Sequence, residues 1–155
     1  MPLLEPLYNY ARWLTRDAAE AEDLVQETFL KALRGFASFA PGSNFRAWVY
    51  RILRNTFLTS RSGLRGEAML SIDEDPDQFD VSDGTTPETY YFGRESADSL
   101  RRAIDALPLV YREVLLLADV ENMSYREIAE TLSIPIGTVT SRLLRARKKV
   151  RNAIR

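Results

Sequence analysis

Neither cysteine nor histidine occurs among the 155 residues. Disulfide stapling, thiol redox sensing and the usual soft metal sites are thereby excluded within the chain, so no metal and no cofactor is expected. Long apolar runs are missing too. No stretch approaches the ~20 residues needed to span a bilayer, and the first residues show no basic segment followed by an apolar signal core. The expectation is a protein without membrane insertion, working in the cytoplasm. A phosphate-binding glycine loop is also lacking. The scattered Asp and Glu residues show no pairing of nucleophile and base, which argues against an enzyme.

What is present is charge, and it is segregated. The net charge of −1 hides blocks of alternating sign. Residues 1–27 hold six acidic and two basic side chains, and residues 28–65 hold seven basic and no acidic ones. Residues 66–93 then carry eight acidic and no basic side chains, and residues 94–155 twelve basic against eight acidic. Blocks of this kind suggest several surfaces with different partners. A hydrophobic content of 45% is enough for globular cores, and the length allows one ordinary domain or two small ones.

The most informative stretch is SYREIAETLSIPIGTVTSRLLRARKK, Ser124 to Lys149. Ser124 followed three residues later by Glu127 predicts a reciprocal cap at a helix start, with Ile128, Ala129 and Leu132 continuing at helical spacing. Ser133, Ile134 and Pro135 interrupt, and Pro135 fits where a missing N–H costs nothing, at the opening of the next helix. In that helix Ile136, Val139, Leu143, Ala146 and Val150 predict a packing stripe. Gly137, Thr138, Ser141, Arg142, Arg145 and Lys149 are expected to point away from it. From Ile136 onward there are seven basic residues and no acidic one. Two short helices, a tight turn and a basic second helix predict a helix-turn-helix that lays its second helix in the DNA major groove.

Earlier in the chain, the pattern predicts a helix over Pro6–Thr15 and a second one capped by Asp17 that ends at Gly35. The buried stripe of the second is expected at Ala21, Leu24, Val25, Thr28 and Ala32, which leaves Asp23, Gln26, Glu27, Leu30 and Lys31 toward solvent. Exposed Leu30 among polar neighbours suits a protein-docking face. FASFAPGSN, residues 36–44, should be a loop presenting Phe36 and Phe39. A third helix follows, with Phe45, Trp48, Val49, Ile52, Leu53 and Thr56 expected inward and Arg46, Tyr50, Arg51, Arg54, Asn55 and Arg61 on or near its outer face. Interleaved basic and aromatic groups suit unpaired nucleic acid, because guanidinium groups follow phosphates while flat groups hold bases out of the stack. Residues 66–93, rich in acid with Pro76 and Pro87, read as a tether. A helix over Ser96–Ala106, with Ala97, Leu100, Ile104 and Leu107 inward, and another after Pro108 complete the C-terminal unit.

The expected fold class is all-α: two small helical domains joined by a flexible acidic linker, the C-terminal one containing the helix-turn-helix. The expected boundaries are 1–65, 66–95 and 96–155.

Four segments, AEDLVQETFLKAL, SNFRAWVYRILRNTF, LPLVYREVLLL and SYREIAETLSIPIGTVTSRLLRARKKVR, occur in an order and spacing that resemble the extracytoplasmic-function group of bacterial RNA polymerase sigma factors. The resemblance covers nearly the whole chain. It implies a non-catalytic subunit that joins core RNA polymerase, recognises two promoter elements and helps open the duplex. By that resemblance Asp23, Gln26, Glu27, Leu30 and Lys31 dock on the clamp helices of the largest polymerase subunit, and the polymerase flap is a further expected contact. Phe39, Ser43, Asn44, Arg46, Arg51, Arg54, Asn55 and Arg61 bind and melt the downstream (−10) element, Asn55 beside a flipped base. Gly137, Thr138, Ser141, Arg142, Arg145 and Lys149 read the upstream (−35) element as duplex, and an anti-sigma factor is expected as a partner. Ser133 departs from the glycine common in the turn of this family. The competing expectation is a conventional dimeric helix-turn-helix transcription regulator, which would need duplex DNA alone.

Overall fold

The computed structural model describes residues 3–40, 42–61 and 94–154. Among these residues the structure is helical, with no strand. Helix α1, Leu4–Thr15, buries Leu7, Tyr10, Ala11 and Leu14. It ends at Arg16, whose φ of 61° turns the chain into the left-handed region. Asp17 then caps α2, Ala18–Gly35, by accepting from the Ala19 and Glu20 N–H groups at 2.8 and 3.1 Å. These are the orphan donors of a helix start, and satisfying them fixes where α2 begins. One 3₁₀ turn, Phe36–Ser38, leads toward α3, Phe45–Ser60, which Asn44 caps through the Ala47 N–H.

Helix α4, Arg94–Asp105, begins two residues before the expected Ser96 and takes in the last two positions of the expected 66–95 linker; the rest of that tether lies outside the described residues. Pro108 opens α5, Leu109–Leu115, every residue of which is buried. The helix then widens into a π turn, Leu116–Val120, and Asn122 follows at φ 56°. The helix-turn-helix comprises α6, Tyr125–Leu132, and α7, Ile136–Ala153, with Ser133 at φ 57° and ψ 47° between them.

The predicted stripes hold in their centres and miss at their edges. Ala21, Leu24, Val25 and Thr28 of α2 and Val139, Leu143, Ala146 and Val150 of α7 are buried as expected. Ile136 and Phe45, expected inward, are 52% and 39% exposed, and Ala97 is exposed as well. Each sits in the first turn of its helix. Tyr50, expected outward, is fully buried, because the two halves of the chain pack together along α3.

Candidate nucleic-acid interface

The two reading surfaces predicted from sequence, on α3 and on α7, have different surroundings. The stretch around α3 begins with an aromatic nest. Phe39 stacks on Phe36 at 6.2 Å between ring centroids and meets Phe45 and Trp48 at 5.5 and 5.0 Å. Offset and edge-on contacts of this type hold the preceding loop against the helix. Phe39, Ser43, Asn44 and Arg51 then line one cleft of about 750 Å³, whose opposite wall is supplied by Arg126, Glu127 and Glu130 of α6.

The arginines of α3 reach across that division. Arg46 grips Glu127 with two parallel hydrogen bonds, Nε to Oε2 at 2.7 Å and Nη2 to Oε1 at 2.5 Å, and Asn44 donates to the same carboxylate at 3.0 Å. This is the fork-to-fork geometry that guanidinium forms with carboxylate or phosphate alike. Arg54 makes a second such pair with Glu113 at 2.8 and 3.3 Å. Arg51 donates to the Glu130 carbonyl oxygen, and the Tyr50 hydroxyl donates to the Glu121 carboxylate. Asn55 is exposed, while Arg61 lies at the far end of the helix, paired with Glu20 at 3.0 Å and stacked over Phe57.

These contacts shift the acids in opposite directions. The Arg46 hydrogen bonds hold Glu127 below the ordinary carboxylate value, outweighing its partial burial. Burial pushes Glu113 up despite Arg54, and pushes Glu121 up despite the Tyr50 hydrogen bond. A carboxylate removed from water disfavours its charged form unless its hydrogen bonds replace hydration fully.

Sequence reasoning assigned Glu127 to a reciprocal cap, and only half of it forms. The Ser124 hydroxyl oxygen accepts from the Glu127 N–H at 3.0 Å, but the Glu127 side chain has turned to Arg46 and Asn44. Glu20 repeats the pattern, its carboxylate engaged with Arg61 rather than with its own helix start. In both cases the local rule placed the helix boundary correctly and missed the distant partner.

On α7, Gly137 is exposed, whereas Thr138, Ser141, Arg142, Arg145 and Lys149 are half-buried. Arg142 lies where the charge of Glu113 acts on it, and burial lowers its basicity. The Lys149 ammonium sits 5.8 Å from the Tyr111 ring centroid. The outermost face instead runs through Gly137, Thr140 and Leu144, which recur at helical spacing, and Leu144 is 51% exposed. Thr140 and Leu144 are absent from the sequence-based reading set. Their signal was available as the positions opposite Val139, Leu143 and Ala146, but Leu144 looks like core when judged by residue type alone. Arg147 is tied to Asp119 at 2.6 and 3.2 Å, which links α7 to the π turn.

The α2 face is continuous. Asp23, Gln26 and Glu27 are exposed with Leu30 at 52%, and Lys31 bridges Glu27 at 3.6 Å and the Thr56 hydroxyl at 3.2 Å. Leu33, 76% exposed and one turn beyond Leu30, extends it and was missed. Beside it Phe29, Leu33, Phe36, Phe45 and Trp48 border an apolar groove of about 260 Å³. Among the described residues no helix is long and apolar enough to cross a membrane, and no cluster of acidic side chains could hold a metal ion.

Two family models match the chain: Sigma-70 region 2 over residues 2–66 and Sigma-70 region 4 over residues 97–150. Similar curated proteins include the ECF RNA polymerase sigma factor SigE of Mycolicibacterium smegmatis, 38% identical over 149 residues, covering 94% of this chain and 56% of that protein. The ECF RNA polymerase sigma-E factor of Haemophilus influenzae is 36% identical over 150 residues, covering 92% of this chain and 78% of that one. Among solved structures, the sigma factor RpoE in complex with the anti-sigma factor NepR from Bartonella quintana superposes with a TM-score of 0.73 at 30% identity, over 98% of this chain and 91% of that one.

Proposed function

Because the chain belongs to the extracytoplasmic-function group of RNA polymerase sigma factors, we propose that it binds core RNA polymerase in the cytoplasm, carries it to promoters and opens them, with no catalytic step of its own. The observation that carries this reading is the presence, in one chain, of a region 2 match and a region 4 match, each containing a helix with a basic face.

In this reading α7 enters the major groove of the −35 element through Gly137, Thr138, Ser141, Arg142, Arg145 and Lys149, and exposed Thr140 and Leu144 belong to the same face. Small residues near the helix start allow close approach to base edges, and Arg supplies bidentate or phosphate contacts. The Phe39-to-Asn44 loop and α3, through Arg46, Arg51, Arg54, Asn55 and, at its end, Arg61, take the −10 element as unpaired strand. Extruding a base sacrifices a few kcal/mol of stacking and pairing, which a preformed pocket must offset. The exposed α2 face, Asp23 to Lys31, docks on the clamp helices, and the C-terminal unit meets the flap. An anti-sigma factor is the expected antagonist, as RpoE has NepR. Two sites on one chain raise each other's effective concentration across the promoter.

The test is run-off transcription by purified core polymerase on a promoter pool, with and without the chain. Transcription that requires both, with permanganate-reactive thymines at the start site, is the expected result. Tight binding of the chain alone to a palindromic duplex, with no effect on polymerase, would instead indicate the dimeric regulator.

A further inference from the structure

Arg46, Arg54, Arg61 and Arg147 are each held by a carboxylate, those of Glu127, Glu113, Glu20 and Asp119. Three other arginines gather around one cleft without such a partner. On α1, Tyr8, Asn9, Arg12, Trp13 and Arg16 recur at helical spacing on the side opposite buried Leu7, Ala11 and Leu14. Arg101 and Asp105, one turn apart on α4, face them across a cleft of about 600 Å³. Among the described residues, Arg12, Arg16 and Arg101 have no ion pair. Arg16 donates instead to the Asp105 carbonyl oxygen, which also accepts from Arg112 at 3.2 Å. Burial, and then the charge of Arg16, lower the basicity of Arg112. Like charges on adjacent turns repel, so the cleft holds positive charge that its single carboxylate does not balance.

We propose that this cleft binds a nucleotide bearing two or more phosphates, with Arg12, Arg16 and Arg101 on the phosphates and Trp13 and Tyr8 on the base. Guanidinium stays charged and matches phosphate oxygens with paired donors. Arg12 and Arg16 stand four residues apart, about 6 Å of helix rise, so linked phosphates engage both while Arg101 closes from the other wall. The Arg101 guanidinium lies 5.3 Å from the Trp13 ring centroid, which holds it across the opening. An indole and a phenol offer flat faces on which any base stacks, and the exposed Asn9 amide presents both a donor and an acceptor to a base edge. The volume falls in the range of about 300–1,000 Å³ typical of small-ligand clefts. None of these residues belongs to the surfaces assigned above to promoter DNA or polymerase, so the ligand is additional to both.

The chain has two tryptophans, Trp13 and Trp48, so Trp48→Phe in the full chain leaves fluorescence that reports this cleft alone. ATP and GTP should quench that emission to saturation with a Kd below about 100 μM. Tripolyphosphate should compete, and adenosine should bind about tenfold more weakly or worse. By calorimetry, the double variant Arg12→Gln, Arg101→Gln should lose about tenfold or more in ATP affinity while its thermal midpoint stays unchanged. Trp13→Leu should erase the advantage of ATP over tripolyphosphate. No saturable quenching at millimolar ATP, or ATP affinity that the double Gln variant retains, overturns the site. Equal binding of ATP and tripolyphosphate by the wild-type chain overturns the nucleotide assignment, because any polyanion would then serve. A short single-stranded DNA that quenches Trp13 at lower concentration than ATP, and fails to do so in the double Gln variant, overturns it as well and makes the cleft part of a strand path. None of these measurements uses polymerase or a promoter, so a negative result leaves the sigma reading standing.

Discussion

Ser133 holds φ 57° in the turn of the helix-turn-helix, a conformation in which its Cβ crowds the backbone. An L-residue there costs roughly 1–2 kcal/mol, part of which glycine returns through the greater freedom of the unfolded chain. Ser133→Gly is therefore expected to stabilise the fold by about 0.5–1 kcal/mol, read as a rise in thermal midpoint with DNA binding unchanged. The departure from glycine was visible in the sequence; the angle was not, since serine gives no sign of it. Arg54 and Glu113 make the opposite case. The Glu113 side chain is wholly buried and that of Arg54 13% exposed. Removing one partner of such a pair leaves a charge without solvent or counter-ion, so Arg54→Ala is expected to cost about 3 kcal/mol at neutral pH. The loss should shrink in acid, because burial already favours protonated Glu113. Arg54→Met with Glu113→Leu should recover most of the stability in denaturant titrations, which a purely steric role for Arg54 would not allow.

For whole elements, α2 and α7 were the most legible, because each combines a polar cap or proline start with an apolar period of 3.6 that one buried face satisfies. The errors cluster at Ile136 and Ala97, in first turns, and at Tyr50, whose burial depends on another element. Periodicity states which residues share a face and not what the face meets. On α7 the outer positions Thr140 and Leu144 follow from the buried ones once the helix is seen to be covered on one side only. Leu144→Asp should therefore weaken binding to promoter duplex by setting a negative charge on the exposed face of a helix that carries basic residues and no acidic one, while its exposure keeps the thermal midpoint nearly unchanged. Arg145→Ala should weaken the same binding by about 1–3 kcal/mol if it reads a base, or lower the salt slope by about one if it holds a phosphate. Fluorescence anisotropy over a salt series distinguishes the two.

At the scale of the whole molecule, the docking of one half on the other could not be read from the chain. Each carboxylate in the seam has a sufficient local explanation: Glu127 as a cap, Glu113 as one more charge on a helix, Glu121 as a loop acid. Only distance in space turns them into one set, facing Arg46, Arg54 and Tyr50 of α3, with Arg142 of α7 and neighbouring Arg112 also acting on Glu113. Because these acids shift in opposite directions, closure should respond to pH from both sides. Glu127 is lowered from its ordinary value of 4.5, so its contribution is complete above that value and is lost as pH falls through the lower, closed-state one. Glu113 and Glu121 are raised, so they favour the closed form while protonated and oppose it as pH climbs past 4.5 through their higher closed-state values. A chain spin-labelled at Ser38→Cys and Arg126→Cys, two positions that line the cleft between α3 and α6, should accordingly show its largest short-distance population in mild acid, falling toward neutral pH on one side and strong acid on the other. Glu127→Gln should remove the strong-acid limb and Glu121→Gln should flatten the neutral one. A population that changes in only one direction with pH in the wild-type chain would mean that the seam is not held by these carboxylates.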